Sequence, residues 1–120
     1  MKLTSEVIHG DKIGRTVGYP TANIDIDFFE CTLVSGVYVS HILLKGGQYN
    51  GLLVVQKEMQ KAEVHLLDYL GEDFYSQVIE IDVFDKISEI ERFTDVPSLK
   101  KKIQHDIDKA RKWLEKNSSE

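Results

Sequence analysis

Residues 10–27 read GDKIGRTVGYPTANIDID, and the residue types in this run could hold a polyphosphate and a divalent metal. Gly10, Gly14 and Gly18 can take backbone angles closed to other residues, leaving N–H groups free to approach phosphate oxygens. Arg15 would add charge-assisted hydrogen bonds, and Pro20 fixes φ where the loop becomes a strand. In the extended segment that follows, residues i and i+2 share a face. Thr21 and Asn23 therefore present a hydroxyl and an amide carbonyl side by side, while Ala22 and Ile24 turn to the core. Two neutral oxygens at that spacing suit Mg²⁺, which keeps water and substrate phosphates as the rest of its shell. Asp25 and Asp27 continue the polar face. The run is neither G-x-x-x-x-G-K-[ST] nor G-x-G-x-x-G. On the residues alone, a glycine-rich turn before a strand with one wet face stays open as the alternative.

The second chemical feature is a glutamate within an otherwise apolar run, Ala62-Glu63-Val64-His65-Leu66-Leu67-Asp68-Tyr69. Such a carboxylate costs stability unless it is paired or functional. Partly desolvated carboxylates hold their protons more tightly and make useful general bases. The alternative is that Glu63 faces solvent at a sheet edge or pairs with a lysine. His65 shares its face and reads as a packed or hydrogen-bonded side chain. The four histidines, at 9, 41, 65 and 105, lack metal-site spacing.

The elements that must position these groups are legible from hydrophobic periodicity. Val78 to Phe84 alternates, with Ile79, Ile81 and Val83 on one face and Glu80 and Asp82 on the other, as in a half-buried strand. Gly36 to Leu44 is rich in β-formers, and Lys45-Gly46-Gly47-Gln48 turns it into a second run, Tyr49 to Val55, as a hairpin. Leu3 to Ile8, Thr21 to Ile26 and Ala62 to Tyr69 complete the strands of a small all-β barrel. The period then changes. Leu99, Ile103, Ile107, Ala110 and Leu114 fall on one helical stripe, with Trp113 at its edge. Pro97 suits the first helical position, and Asp95 or Thr94 can cap it. Asp108 and Lys112 form an i,i+4 pair. Lys100-Lys101-Lys102 reads as a solvated helix face. A β-barrel closed by one C-terminal helix over 97–116 is the predicted architecture, with residues 1–116 as one domain and 117–120 as a polar tail.

Bulk properties exclude several classes. A chain of 120 residues with 42% hydrophobic and 29% charged residues has ordinary soluble composition. Its formal net charge of −5 argues against a sequence-independent grip on nucleic acid. Any phosphate must then be held by local devices: N–H groups, one or two cations, a metal. The single cysteine, Cys31, allows no internal disulfide and reads as a small buried hydrophobe. Neither a signal peptide nor a membrane span is evident, so a cytoplasmic protein is expected.

Taken together, four segments resemble the riboflavin kinase (flavokinase) family: GRTVGYPTANID at 14–25, SGVYVS at 35–40, AEVHLLDYLGEDFYSQVI at 62–79, and a final F-x-x-x-x-x-L-x-x-x-I-x-x-D pattern from Phe93 through Leu99 and Ile103 to Asp106. The resemblance covers nearly the whole chain, in the family's order. It implies a six-stranded antiparallel Greek-key β-barrel with a C-terminal α-helix packed on it. It also implies transfer of the ATP γ-phosphate to the 5′-hydroxyl of riboflavin, giving FMN and ADP. Carried over residue by residue, Thr21 and Asn23 are the Mg²⁺–ATP ligands and Glu63 is the base on the ribityl hydroxyl. Gly10, Arg15 and Pro20 match loop positions over the phosphates, and Leu66, Asp68 and Tyr75 fall where the family lines the nucleotide site. On the flavin side Arg92, with Lys86 as the alternative, is the candidate to replace the arginine that the family pattern carries. The length fits a stand-alone kinase module working as a monomer, without the adenylyltransferase domain often fused to bacterial versions.

The departures from the family pattern cluster on the flavin side. The usual N-x-G-x-x-P-T stretch is replaced by Leu53-Val54-Val55-Gln56-Lys57-Glu58-Met59. Tyr-Gly becomes Tyr75-Ser76, Leu-Arg becomes Ile87-Ser88, and the lysine before Phe93 is Arg92. Two functions follow: a working kinase with a rebuilt flavin pocket, or a non-catalytic flavin- or nucleotide-binding regulatory module of the same fold. An oligonucleotide-binding barrel would want basic grooves with interleaved aromatics, which this chain lacks.

Overall fold

The computed structural model describes residues 1–8, 21–27, 32–44, 46–68 and 77–117. Its strands are β1 (Lys2–Ile8), β2 (Thr21–Ile24), β3 (Gly36–Leu44), β4 (Gly47–Gln56), β5 (Lys61–Leu66) and β6 (Val78–Ser88), followed by helix α1 (Val96–Lys116). The strands close into an antiparallel barrel in the order β1-β2-β5-β4-β3-β6. Consecutive strands β3, β4 and β5 lie side by side and β6 returns beside β3, which is a Greek-key path.

Alternation decides what fills the barrel. Ala22 and Ile24, Ile42 and Leu44, Leu53 and Val55, Ala62, Val64 and Leu66, and Ile79 and Ile81 form one buried interior cluster. The opposite face of β3 and β4 is also apolar, through Val37, Val39 and Leu52, and this second cluster takes Ile103, Ile107 and Ala110 of α1. Each large aliphatic side chain buried there contributes about 1.5–3 kcal/mol. So the helix packs on the outside of the barrel, over β3, β4 and β6.

Local chemistry sets the ends of the elements. The Asp95 side chain caps α1, accepting from the Ser98 N–H at 2.8 Å, and Pro97 occupies the first turn. At the far end the Trp113 indole stacks on Phe84 at 5.4 Å and donates to Asp85 Oδ2 at 2.8 Å, pinning the helix to β6. Strand β2 stops at Ile24, two residues short of the expected Ile26. There the buried Ser5 hydroxyl takes over the ladder, accepting from the Asp25 N–H at 2.9 Å and donating to the Asp25 carbonyl at 2.8 Å. Asp25 and Asp27 thus lie beyond the strand and are exposed. Strand β5 also ends early, at Leu66 and not Tyr69, because Asp68 turns into the left-handed region (φ 60), which Asp tolerates better than most residues.

Two readings of the helix need correcting. Lys100 and Lys101 are exposed, but Lys102 is not part of a solvated face: its ammonium makes a bidentate pair with buried Asp106, at 2.8 and 2.7 Å. Asp108 accepts from Gln104 at 3.0 Å, one turn back, in place of the expected Lys112 contact.

Candidate active site

The register of β2, β5 and β4 assembles the groups singled out by the sequence. Asn23 lies opposite Glu63, and Thr21 opposite His65. On the other side of β5, Glu63 faces Val54 and His65 faces Leu52. Because Ala22, Ile24, Val64 and Ala62 point inward, Asn23, Glu63 and His65 all stand on the outer surface of the barrel. Directly opposed residues on one face have Cβ atoms ~4.5–5.5 Å apart, so the Asn23 amide and the Glu63 carboxylate are neighbours. Segments some forty residues apart in sequence thus meet on adjacent strands.

Glu63 and His65, but not Asn23, border a cleft of ≈ 460 Å³ between the outer face of β4–β5 and helix α1. Its apolar walls are Val37, Leu52 and Val54 from the barrel and Leu99 and Ile103 from the helix, while Arg92, Phe93 and Met59 lie at its rim. Glu63 and His65 line it from β5, and Lys102 and Asp106 from α1.

Burial shapes the electrostatics. His65 is 7% exposed, and its Nδ1 has no hydrogen-bond partner among the described residues. Desolvation pushes its pKa down from 6.5 to about 4, with the Asp106 carboxylate working against that shift. At neutral pH the imidazole is therefore uncharged. Its Nε2, 3.9 Å from Glu63 Oε2, makes a polar contact there and not an ion pair. Lys61 Nζ stands 4.0 Å from the other oxygen, Glu63 Oε1.

The lowered pKa makes a stability prediction. Between about pH 6.5 and pH 4 the unfolded chain binds a proton at His65 that the folded chain does not, so stability falls as pH falls through that window. The shift corresponds to about 3 kcal/mol in all. Urea unfolding of metal-free protein at pH 7 and pH 4.5 is expected to show a smaller loss in His65→Asn than in wild type.

The remaining predicted residues divide clearly. Leu66 is 1% exposed and sits inside the barrel, so its side chain is not in the cleft wall. Asp68 is exposed and held by Arg111 in a bidentate pair at 3.0 and 3.1 Å. The Arg111 hydrogen bonds keep its carboxyl below the usual range. Gly10, Arg15, Pro20, Cys31 and Tyr75 lie outside the described residues, and for Thr21 only the backbone is described. Arg92 is exposed at the cleft rim. The altered stretch from Leu53 to Met59 forms the end of β4 and a single 3₁₀ turn, Lys57–Met59, which borders the cleft. Ser88, in place of the usual arginine, accepts a hydrogen bond from Lys102.

Lys102 and Asp106 are the cleft residues that sequence reasoning missed. One signal was available: Asp106 falls on the same stripe as Leu99, Ile103 and Ala110, where a carboxylate must find a partner, and Lys102 is one turn away.

A family model for flavokinase (riboflavin kinase) matches residues 1–114. The chain belongs to the riboflavin kinase family. Among relatives, the bifunctional riboflavin kinase/FMN adenylyltransferase of Haemophilus influenzae is 35% identical, over 94% of this chain and 38% of its own length. The protein of the same description from Escherichia coli K12 is also 35% identical, over 93% of this chain and 37% of its own. The chain thus spans under two-fifths of the length of these curated relatives. The riboflavin kinase of Trypanosoma brucei shares the fold, with a TM-score of 0.71 at 24% identity, over 97% of this chain and 80% of its own. A chain described as a macrolide-efflux protein from Streptococcus pneumoniae superposes with a TM-score of 0.81 at 26% identity, over 93% of this chain and 38% of its own. Riboflavin kinase family membership accounts for the barrel, the helix and the placing of β2 beside β5. No helix among the described residues is long and apolar enough to cross a membrane.

Proposed function

We propose that this chain transfers the γ-phosphate of ATP to the 5′-hydroxyl of riboflavin, giving FMN and ADP. The observation that carries the reading is the pairing of Asn23 with Glu63 across β2 and β5, with Glu63 also lining an apolar-walled cleft. Phosphoryl transfer asks for positioning and charge stabilisation more than covalent chemistry. A metal ligand set beside a carboxylate, next to a cleft for a flat apolar ring, is a sufficient inventory.

In this reading Asn23 and Thr21 supply two neutral oxygens to Mg²⁺. Among the described residues no group of three or more His, Cys, Asp or Glu could cage a metal. That donor set fits an ion that completes its shell with water and phosphate oxygens. A Mg²⁺ ion held by Asn23 and Thr21 would offset the negative charge that gathers on the phosphates during transfer. Glu63 accepts the proton of the ribityl 5′-hydroxyl as its oxygen attacks the γ-phosphorus and ADP leaves. His65, uncharged at neutral pH, leaves that carboxylate unneutralised from its side of the strand. Gly10, Arg15, Pro20 and Tyr75 are assigned to the nucleotide, and Arg92 to the flavin. The reaction draws on cytoplasmic ATP.

The test is incubation of purified protein with riboflavin and Mg·ATP, with FMN detected by chromatography. FMN formation supports the kinase. Flavin binding without turnover would instead mark a binding module. Asn23→Ala is expected to raise the KM for Mg·ATP by about tenfold, the equivalent of one lost polar contact. Riboflavin affinity should change less than about twofold, within the small effects seen at uninvolved sites. Steady-state kinetics with each substrate varied in turn checks this.

A further inference from the structure

Of the four carboxylates that line the cleft, Glu58 and Glu91 are exposed and Glu63 is half-buried, whereas Asp106 is 5% exposed. The wall around it is Val37, Leu52, Val54, Leu99 and Ile103. Lys102 meets both Asp106 oxygens, at 2.8 and 2.7 Å, and its third ammonium proton goes to Ser88 Oγ. The two charged side chains are 11% and 7% exposed.

A buried ion pair is a poor stability device, because desolvation offsets most of its attraction and an apolar pair of the same volume does as well or better. This one also sits on a cavity wall and not within close packing. Each Asp106 oxygen takes one hydrogen bond from Lys102, yet an ionised carboxylate accepts about four. Acceptor capacity therefore remains at the inner surface of an apolar cleft, beside a cation whose bond to a serine hydroxyl is exchangeable. Binding sites of this kind use apolar walls for contact area and a few placed polar groups for orientation.

We propose that Asp106 and Lys102 read the hydrogen-bonding edge of the riboflavin ring system. Asp106 accepts from the ring N–H that lies between two carbonyls. Lys102, giving up its bond to Ser88, donates to one of those carbonyls. The pair is thus a specificity determinant for the flavin, carried by α1 and not by the strands that hold Asn23 and Glu63. The assignment rests on the riboflavin kinase reading above.

The experiment titrates riboflavin and 3-methylriboflavin, in which a methyl group replaces that ring proton, following the change in flavin fluorescence. Wild type is expected to prefer riboflavin by about tenfold to a hundredfold, the range for a hydrogen bond to a charged group. In Lys102→Met/Asp106→Leu, which keeps volume and removes both charges, the preference should fall below about threefold, within the spread of mutational effects unrelated to a contact. A purely structural role would weaken both ligands alike and leave the ratio unmoved. Equal affinity for the two flavins in wild type overturns the proposal whatever the variant does, as does an unchanged ratio in a folded variant. Should the double variant not fold, Lys102→Leu/Asp106→Ala, which also removes both the acceptor and the cation, takes its place with the same expectation. Failure of wild type to bind riboflavin at all, or to form FMN, would instead strike at the kinase reading itself.

Discussion

Glu63→Gln is expected to lower the rate of FMN formation by about 10³-fold, the middle of the range for loss of a positioned general base. The substitution keeps shape and hydrogen-bonding reach, but an amide cannot take the hydroxyl proton. The side chain lies on the outer face of β5, 18% exposed, between Asn23 on one neighbouring strand and Val54 on the other. Neither the barrel core nor the helix seam depends on its charge, so the variant should fold and still bind flavin. Single-turnover measurement separates the outcomes: a slow chemical step with near-normal substrate affinity is expected. A rate within about tenfold of wild type would remove the glutamate from the proton transfer, since base catalysis contributes at least ~10²-fold.

Lys102→Met alone should have the largest effect on stability, a loss of about 3–5 kcal/mol. It leaves the buried Asp106 carboxylate with its partner gone. For a chain of this size the melting temperature should drop by about 10–20 °C. Adding Asp106→Leu to the same protein should recover most of the loss, because the orphaned charge goes with it. Thermal denaturation of the two variants side by side decides the matter. If the single and double variants melt together, the ion pair carries no coupling energy and the helix tolerates an isolated carboxylate there.

Much of the fold could be read from the chain because its signals are local. The β3 strand needed only its run of β-formers from Gly36 to Leu44, and α1 only its stripe and the cap at Asp95. Tyr49 to Val55 fell inside β4 for the same reason. The endings were harder. That β2 stops at Ile24 depends on Ser5, a residue of another strand, and no periodicity within 21–26 reveals it. The site divides in the same way. Residue types marked Asn23 and Glu63 as unusual, but their adjacency is a property of strand register and appears only once the barrel closes. Lys102 was misread because a run of lysines looks like a wet surface, while its buried partner one turn on settles where it points.

The closure of the barrel is uneven. Strands β3 and β4 share nine paired positions, whereas the described part of the joint between β1 and β2 has two, Val7 with Ile24 and Ile8 with Asn23. Asn23 therefore belongs both to the β2–β5 joint that sets it beside Glu63 and to the joint with the fewest pairs among the described residues. Among the described residues one flank of that stave carries four paired positions and the other two, continued by the Ser5–Asp25 hydrogen bonds. Any yielding of the cylinder there would tilt the asparagine while leaving the glutamate where it stands.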